Sequence, residues 1–445
     1  MKKRKLLAMV LAAATVASLA GCGGSSSSSD SGSSTSGSTT TTSGSSTSGD
    51  ASDISGTVVF AHQNDTTGAI EAMIEAFNEK YPNITVEDQA LPGSSDDVKK
   101  SLMTTLAAGG SDIDVIEADS IWVSQFAAAG WLEDLTEFLD PIKDQYLEGP
   151  LQTCYYNDKA YALPSYTDVG LLYYRSDLIE TPPTPPTTWD ELISMCQEYQ
   201  GQNGIEYGFV FQAQQGEPVS CNMLEFIKQN GGHDLDENGE FTMNNANTIE
   251  ALEFVEGLIA DGISPESVLN AKPDDSRAIF EEGQALFMRN WTYAYANAQA
   301  ETSKVAGNVG VTSLPLGPNG ESSSGTLGGW NYVINTYSEN KEAAKVFVEF
   351  MAGEEAQKIQ VQMRSTLPAI EALYDDAEVQ EVLPYIADAK QAVAEAQPRP
   401  QVRDYATISS VFQEYFHAAL TGAQSNEDAM AAMDTALNEA LANMQ

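Results

Sequence analysis

The side chains of this sequence that could do chemistry are unevenly supplied: 64 Asp and Glu, 18 Tyr and 5 Trp, against 3 His and 4 Cys. His62, His233 and His417 are scattered without the spacing of metal ligands, so zinc chemistry is poorly supported, as is a serine or cysteine triad. Asp234-Leu235-Asp236-Glu237-Asn238-Gly239 opens like a calcium loop, but its twelfth position is Asn245, which lacks the bidentate carboxylate that closes such a loop. Asn238-Gly239 reads better as a hairpin turn. What remains in quantity is carboxylates and aromatic rings. An ionised carboxylate accepts hydroxyl hydrogen bonds that are stronger than neutral ones. An aromatic ring covers a C–H face with large apolar area at small entropic cost. Together they suit the holding of a molecule that offers hydroxyls and flat C–H faces. Asp119 already has a telling position. It ends the run Val115-Ile116-Glu117-Ala118, and open α/β sheets present ligand groups at strand ends. The same carboxylate could instead cap a helix starting at Ser120.

The elements that must position such groups can be read from periodicity. Thr57-Val58-Val59-Phe60-Ala61 is a strand-like run that ends in a polar turn at 62–67. Ile70, Met73, Ile74 and Phe77 then recur at helical spacing, and Tyr81-Pro82-Asn83 stops that helix before the extended run Ile84-Thr85-Val86. This βαβ unit predicts a parallel sheet covered by helices. A helix over 97–108, a strand over 112–117 and a helix over 120–129, closed by Gly130, continue the alternation. Residues 181–186 read as a stiff extended connector, after which Thr188 caps the helix beginning at Trp189. Late in the chain, Ile408, Val411, Phe412, Tyr415 and Ala419 line one helix face, and Met430, Met433, Leu437 and Leu441 another. Both stripes are expected in a core.

The chain of 445 residues carries a formal charge of −42, which repels phosphate backbones and anionic headgroups and disfavours nucleic acid as a partner. Its start, Lys2-Lys3-Arg4-Lys5 followed by an apolar run from Leu6 to Ala20, reads as a secretory signal. That run is short of the roughly 20 residues a spanning helix needs. Leu19-Ala20-Gly21-Cys22 resembles the lipobox of bacterial lipoproteins, which implies cleavage after residue 21 and a lipid on Cys22. The stretch over 22–53, rich in Ser, Gly and Thr, cannot bury apolar surface and is expected to be a disordered tether with a reach of roughly 30 Å. The body from residue 54 onward is too long for one ordinary core and sufficient for two domains. With Cys22 lipidated, Cys154, Cys196 and Cys221 cannot all pair, and whether one disulfide forms stays open.

Three segments carry more than pattern. One is Trp122 to Leu132 (WVSQFAAAGWL) after Ile116-Glu117-Ala118-Asp119. The second is Tyr161-Ala162-Leu163-Pro164 continuing through Tyr166 to Arg175. The third is Phe287-Met288-Arg289-Asn290-Trp291-Thr292-Tyr293-Ala294-Tyr295. Together they resemble the extracellular sugar-binding proteins of ABC importers, solute-binding protein family 1, and most closely the trehalose/maltose-binding branch. The likeness continues through Leu327-Gly328-Gly329-Trp330-Asn331, residues 337–344 and Pro398-Arg399-Pro400, and covers about 58–441.

The resemblance implies an α/β fold of two lobes, the type II periplasmic-binding-protein fold, joined by hinge strands with a sugar in the cleft between them. Lobe 1 is expected at 54–165 plus 311–365, and lobe 2 at 166–310 plus 366–445. It also implies no catalytic residue, metal or cofactor. Carried over by the match, Asp119, Tyr166 and Asp168 fall at ligand positions, and Trp291 and Tyr293 at a stacking pair. Gly329 and Trp330 fall at a backbone donor and a second platform, and Arg399 at an arginine that reaches the cleft. A hinge role for Asp168, core packing for the aromatic pair and a structural salt bridge for Arg399 are the competing readings.

One position departs from the family pattern. The segment between Phe60 and Ile70 is shorter, with no Glu where a ligand carboxylate is expected, so Asp65 or Gln63 would substitute. Lys99 or Lys100 could fill a basic position, although an exposed charge is the expectation for either. The implied partners are a trehalose/maltose-type α-glucoside or short oligosaccharide and an ABC permease with its cytoplasmic ATPase. The implied setting is a monomer tethered through Cys22 to the outer face of a Gram-positive cell membrane. The rival is a lipid-anchored glycoside hydrolase acting on α-glucans, which also needs paired carboxylates and aromatic platforms. With 64 acidic residues, such pairs are easily found and decide nothing.

Overall fold

The computed structural model describes residues 54–91, 95–179, 184–323 and 325–444; Cys22, the signal and the tether lie outside them, as does the first half of the 181–186 connector. Eleven strands are formed in the described chain: β1 (Gly56–Gln63), β2 (Ile84–Leu91), β3 (Val115–Asp119), β4 (Tyr155–Tyr156), β5 (Lys159–Ala160), β6 (Ala162–Val169), β7 (Leu171–Arg175), β8 (Tyr207–Val210), β9 (Ala285–Asn290), β10 (Val309–Thr312) and β11 (Leu327–Ile334). β4 and β5 form a small hairpin. The other nine form a five-stranded sheet, in the order β2-β1-β3-β11-β6, and a four-stranded sheet, β10-β7-β9-β8. The expected βαβ unit is present: β1 pairs in parallel with β2 and β3, and the helix Ala69–Lys80 buries Ile70, Met73 and Phe77. β11 runs antiparallel to both its neighbours, so the first sheet is mixed.

Each sheet anchors one lobe, with helices supplying the rest of its core. Phe60, Phe77, Trp122, Tyr332 and Phe347 fill the first; Phe209, Phe211, Phe226, Phe241, Phe412 and Phe416 fill the second. The two late stripes pack there as expected, with Ile408, Phe412, Ala419, Met430, Met433 and Leu437 fully buried.

The chain crosses between lobes at Gly170, again between β10 and β11, and a third time around Arg399. These crossings correct the expected lobe borders. Pro164 does not break β6, because a register shift opposite Trp330 and Asn331 absorbs it, so 166–169 stay in the first sheet. β10 pairs with β7, and Leu316 N donates to Thr187 O at 2.9 Å, which keeps this stretch with the second lobe. Residues 366–395 lie against the first: Thr167 N donates to Leu367 O at 3.0 Å, Leu147 N to Ala369 O at 2.9 Å, and Tyr374, Leu383 and Ile386 join the first core.

Cys154, Cys196 and Cys221 are buried free thiols. Asn238-Gly239 sits in a tight turn, with Asp236 N bonded to Glu240 O at 2.8 Å and Gly239 at φ +77°. Among the described residues no helix is long and apolar enough to cross a membrane, and no group of three His, Cys, Asp or Glu could hold a metal ion.

Candidate functional site

Asp119, Trp330 and Tyr166 stand side by side across the first sheet. Trp330 on β11 is in register with Asp119 on one flank and Tyr166 on the other, and directly paired residues project from the same face. Asp119 ends β3 because its own carboxylate accepts Ile121 N at 3.3 Å, capping the turn Ser120–Trp122. Capping does not exhaust it: Ser95 Oγ donates to Oδ2 at 3.0 Å and Arg399 Nη2 to Oδ1 at 3.4 Å. Trp330 is half-buried, edge-on to Trp122 with centroids 5.2 Å apart. Tyr166 lies beneath the guanidinium of Arg364, 5.1 Å from its ring centroid. Gly329 has φ +120°, and a Cβ there would come within 2.6 Å of Tyr166 O, so this approach of β11 to β6 requires glycine.

Asp168 reaches the second lobe. Its Oδ1 accepts Thr292 N at 3.0 Å, Thr292 Oγ1 at 2.9 Å and Val169 N at 2.9 Å. Burial pushes its pKa up to about 6, against the pull of the Thr292 bonds. This grip fixes the backbone beside Trp291, whose indole edge rests over Gly328. Tyr293 is placed differently: its hydroxyl donates to Asp274 Oδ1 at 2.9 Å, on the helix Pro273–Glu281 of its own lobe.

Arg399, 5 % exposed at the third crossing, spans the lobes. Nη2 faces Asp119 of the first lobe, and Nη1 donates to Glu217 Oε1 of the second at 2.9 Å. Its Nε is buried with no hydrogen-bond partner among the described residues. Glu217, which the sequence pattern does not single out, opens the helix Glu217–Gln229 and also accepts Tyr405 OH at 2.7 Å and Ser409 Oγ at 2.6 Å. Lys99, expected to be an exposed charge, is only 8 % exposed, whereas Lys100 is exposed. Burial lowers the Lys99 pKa, while Asp119, Glu217, Asp404 and Asp96 pull it the other way. Burial, together with Glu217 and Asp119, raises that of Asp96. Nothing local in the sequence marks Glu217, and between the candidates Lys99 and Lys100 only the fold brings one, Lys99, toward Asp119.

Asp65 does not join this group. Its carboxylate accepts Ala69 N at 2.9 Å, Ile70 N at 3.3 Å and the Thr67 hydroxyl, and so serves the start of the helix Ala69–Lys80. Burial opposes its ionisation, but the nearby charge of Arg364 and the Thr67 bonds hold its pKa below the usual value.

Residues 63–358 match the model of the bacterial extracellular solute-binding proteins. The chain belongs to that family. A relative in Deinococcus radiodurans, described as a probable ABC transporter-binding protein, is 32 % identical over 81 % of this chain and 90 % of its own length. The galactooligosaccharide-binding protein of Bacillus subtilis is 23 % identical over 86 % of this chain and 88 % of its own. Among solved structures, maltose-bound MalE3 of T. maritima has a TM-score of 0.82 at 35 % identity, covering 87 % of this chain and all of that one. The fold is thus the two-lobe type II fold of maltose-binding proteins, and the family to which the protein belongs is one of extracellular binding proteins. In this solute-binding protein, each lobe and one crossing contribute groups to the same place: acceptors and a ring from the first sheet, Glu217 from the second lobe, and a fork between them.

Proposed function

We propose that this solute-binding protein captures a neutral trehalose/maltose-type α-glucoside or short oligosaccharide and delivers it to an ABC permease by closing its lobes. Asp119 and Asp168 accept sugar hydroxyls, with Tyr166, the Gly329 backbone and Arg399 as further polar contacts. Trp291 and Trp330 cover the C–H faces, and Tyr293 borders the site from the second lobe. The observation that carries the reading is Arg399, which touches a carboxylate from each lobe and keeps a buried N–H uncommitted. A ligand bonded to such groups from both sides stabilises the closed state over the open one. The maltose in the T. maritima relative supports the choice of sugar class. Capture at micromolar affinity corresponds to about −8 kcal/mol, within reach of two stacked rings and several charge-assisted bonds. Cys22 carries lipid and holds the protein at the outer membrane surface as a monomer.

The test is a thermal-shift screen of the purified chain against a sugar panel, since a ligand that binds only the folded state raises Tm, with calorimetry on the hit. Trp291→Ala and Trp330→Ala are expected to weaken that sugar at least about tenfold while the protein still folds. Unchanged affinity in both would sink the site. Palmitate labelling that survives Cys22→Ala would sink the anchor.

A further inference from the structure

Arg289 and Glu225 form a buried ion pair to which the proposed sugar contacts assign no task. Arg289, on β9, is 1 % exposed, and Glu225, on the helix Glu217–Gln229, is 2 % exposed. Arg289 Nε donates to Glu225 Oε2 at 2.7 Å, Nη2 donates to Oε1, and Nη1 donates to Gln212 Oε1 at 3.2 Å. Desolvation offsets most of the attraction in such a pair, so where it sits is more informative than what it contributes to stability.

Two things meet there. The first is the hinge. Gly170, the single residue between β6 and β7, passes so close that a methyl on its Cα would overlap Glu225 Oε1 and Arg289 Nη2. Thr326, just ahead of β11, donates its N–H to Glu225 Oε1 at 3.0 Å and its hydroxyl to Cys221 O at 3.0 Å. Two of the three passages between the lobes therefore bear on Glu225. The second is the ring of Trp291. It lies two positions after Arg289, just past the end of β9, and the guanidinium carbon lies 4.2 Å from its centroid. That is a close cation–π stack. The guanidinium backs one face of the indole, and the ring edge rests on Gly328 of the first sheet.

We propose that Arg289, held by Glu225 against the hinge, is a positioning residue for ligand binding: it sets the orientation of the Trp291 ring and ties that orientation to the two passages. This deepens the sugar-binding reading, on which the role of Trp291 rests. The task needs a planar fork. A lysine would keep the charge opposite Glu225 but could neither stack on the indole nor bond both carboxylate oxygens in one plane.

The test uses the whole chain labelled with 5-fluorotryptophan, whose five tryptophans report separately; the Trp291 resonance is assigned by its loss in Trp291→Phe. Arg289→Lys is expected to shift that resonance and leave the other four in place. Gly170→Ala, which leaves the pair chemically intact, is expected to shift the same one, and Glu225→Asp gives the same readout should Arg289→Lys fail to fold. In calorimetry with maltose, Arg289→Lys should weaken binding about tenfold in the wild-type background and less than about twofold in a Trp291→Ala background, because it acts through that ring. A Trp291 resonance unmoved by these variants overturns the proposal, as does an equal loss of affinity with and without Trp291. Failure of the wild type to bind any sugar would fall on the sugar reading instead, and the fluorine spectra would still decide the positioning role.

Discussion

At the scale of single residues, Asp168 is where one proton should be most legible. Burial raises its pKa from an ordinary 3.8 to about 6. The folded protein therefore holds this proton more tightly than the unfolded chain does. The resulting stability is fully present below about pH 4 and is lost as pH rises through 6. A shift of about two units corresponds to about 2–3 kcal/mol. Asp168→Asn keeps an oxygen for Thr292 and removes the titration. The stability of the wild type relative to this variant should thus be greatest near pH 4 and fall by about 2–3 kcal/mol by pH 7, read from urea denaturation at each pH. A pH-independent difference would show that the carboxyl titrates like an exposed one. The variant should also bind sugar about tenfold more weakly, since an amide oxygen accepts only neutral hydrogen bonds.

At the scale of elements, Asp65 separates a structural role from a binding one. Its bonds to Ala69 N and Ile70 N satisfy donors that the first turn of a helix leaves open. Asp65→Ala should cost about 1–2 kcal/mol and lower Tm, with sugar affinity within about twofold of wild type. Loss of affinity at unchanged Tm would make Asp65 a ligand after all. The contrast with Asp119 shows how far local pattern reaches. Asp119 could be placed because a strand end and a cap are both local, and it does cap while also meeting Ser95 and Arg399. The helix faces built on Ile70, Met73 and Phe77, and on Ile408 and Phe412, were legible for the same reason. The expected lobe border after residue 165 fails because β6 passes Pro164 by leaving Ser165 unpaired against Trp330 and Asn331 of β11, a partner far along the chain. Glu217 lies 182 residues from Arg399 and has no local signal for that meeting. Lys99 and Lys100 are equal candidates by pattern, and only the fold separates them by burying Lys99 near Asp119 and leaving Lys100 exposed.

At the scale of the whole molecule, charge discriminates between kinds of cargo. A formal charge of −42 makes the surface repel itself and any approaching anion. Raising salt from 10 to 100 mM shortens the screening length from about 30 to about 10 Å. Self-repulsion among exposed carboxylates should then weaken, and Tm should rise by a few degrees. The cleft should respond less, because Arg399 is buried between Asp119 and Glu217, and Lys99 is buried among carboxylates, where salt screens poorly. A neutral sugar has no long-range interaction to screen, so its Kd should stay within about twofold across that range while Tm climbs. An anionic solute would instead be repelled at low salt and bind several-fold more tightly as salt is added. Calorimetry of the sugar hit at the two salt concentrations, beside Tm at each, reads both responses. Affinity that strengthens with salt would replace the neutral α-glucoside with an acidic sugar, and Arg399, with its uncommitted Nε, would be the group to receive its carboxylate.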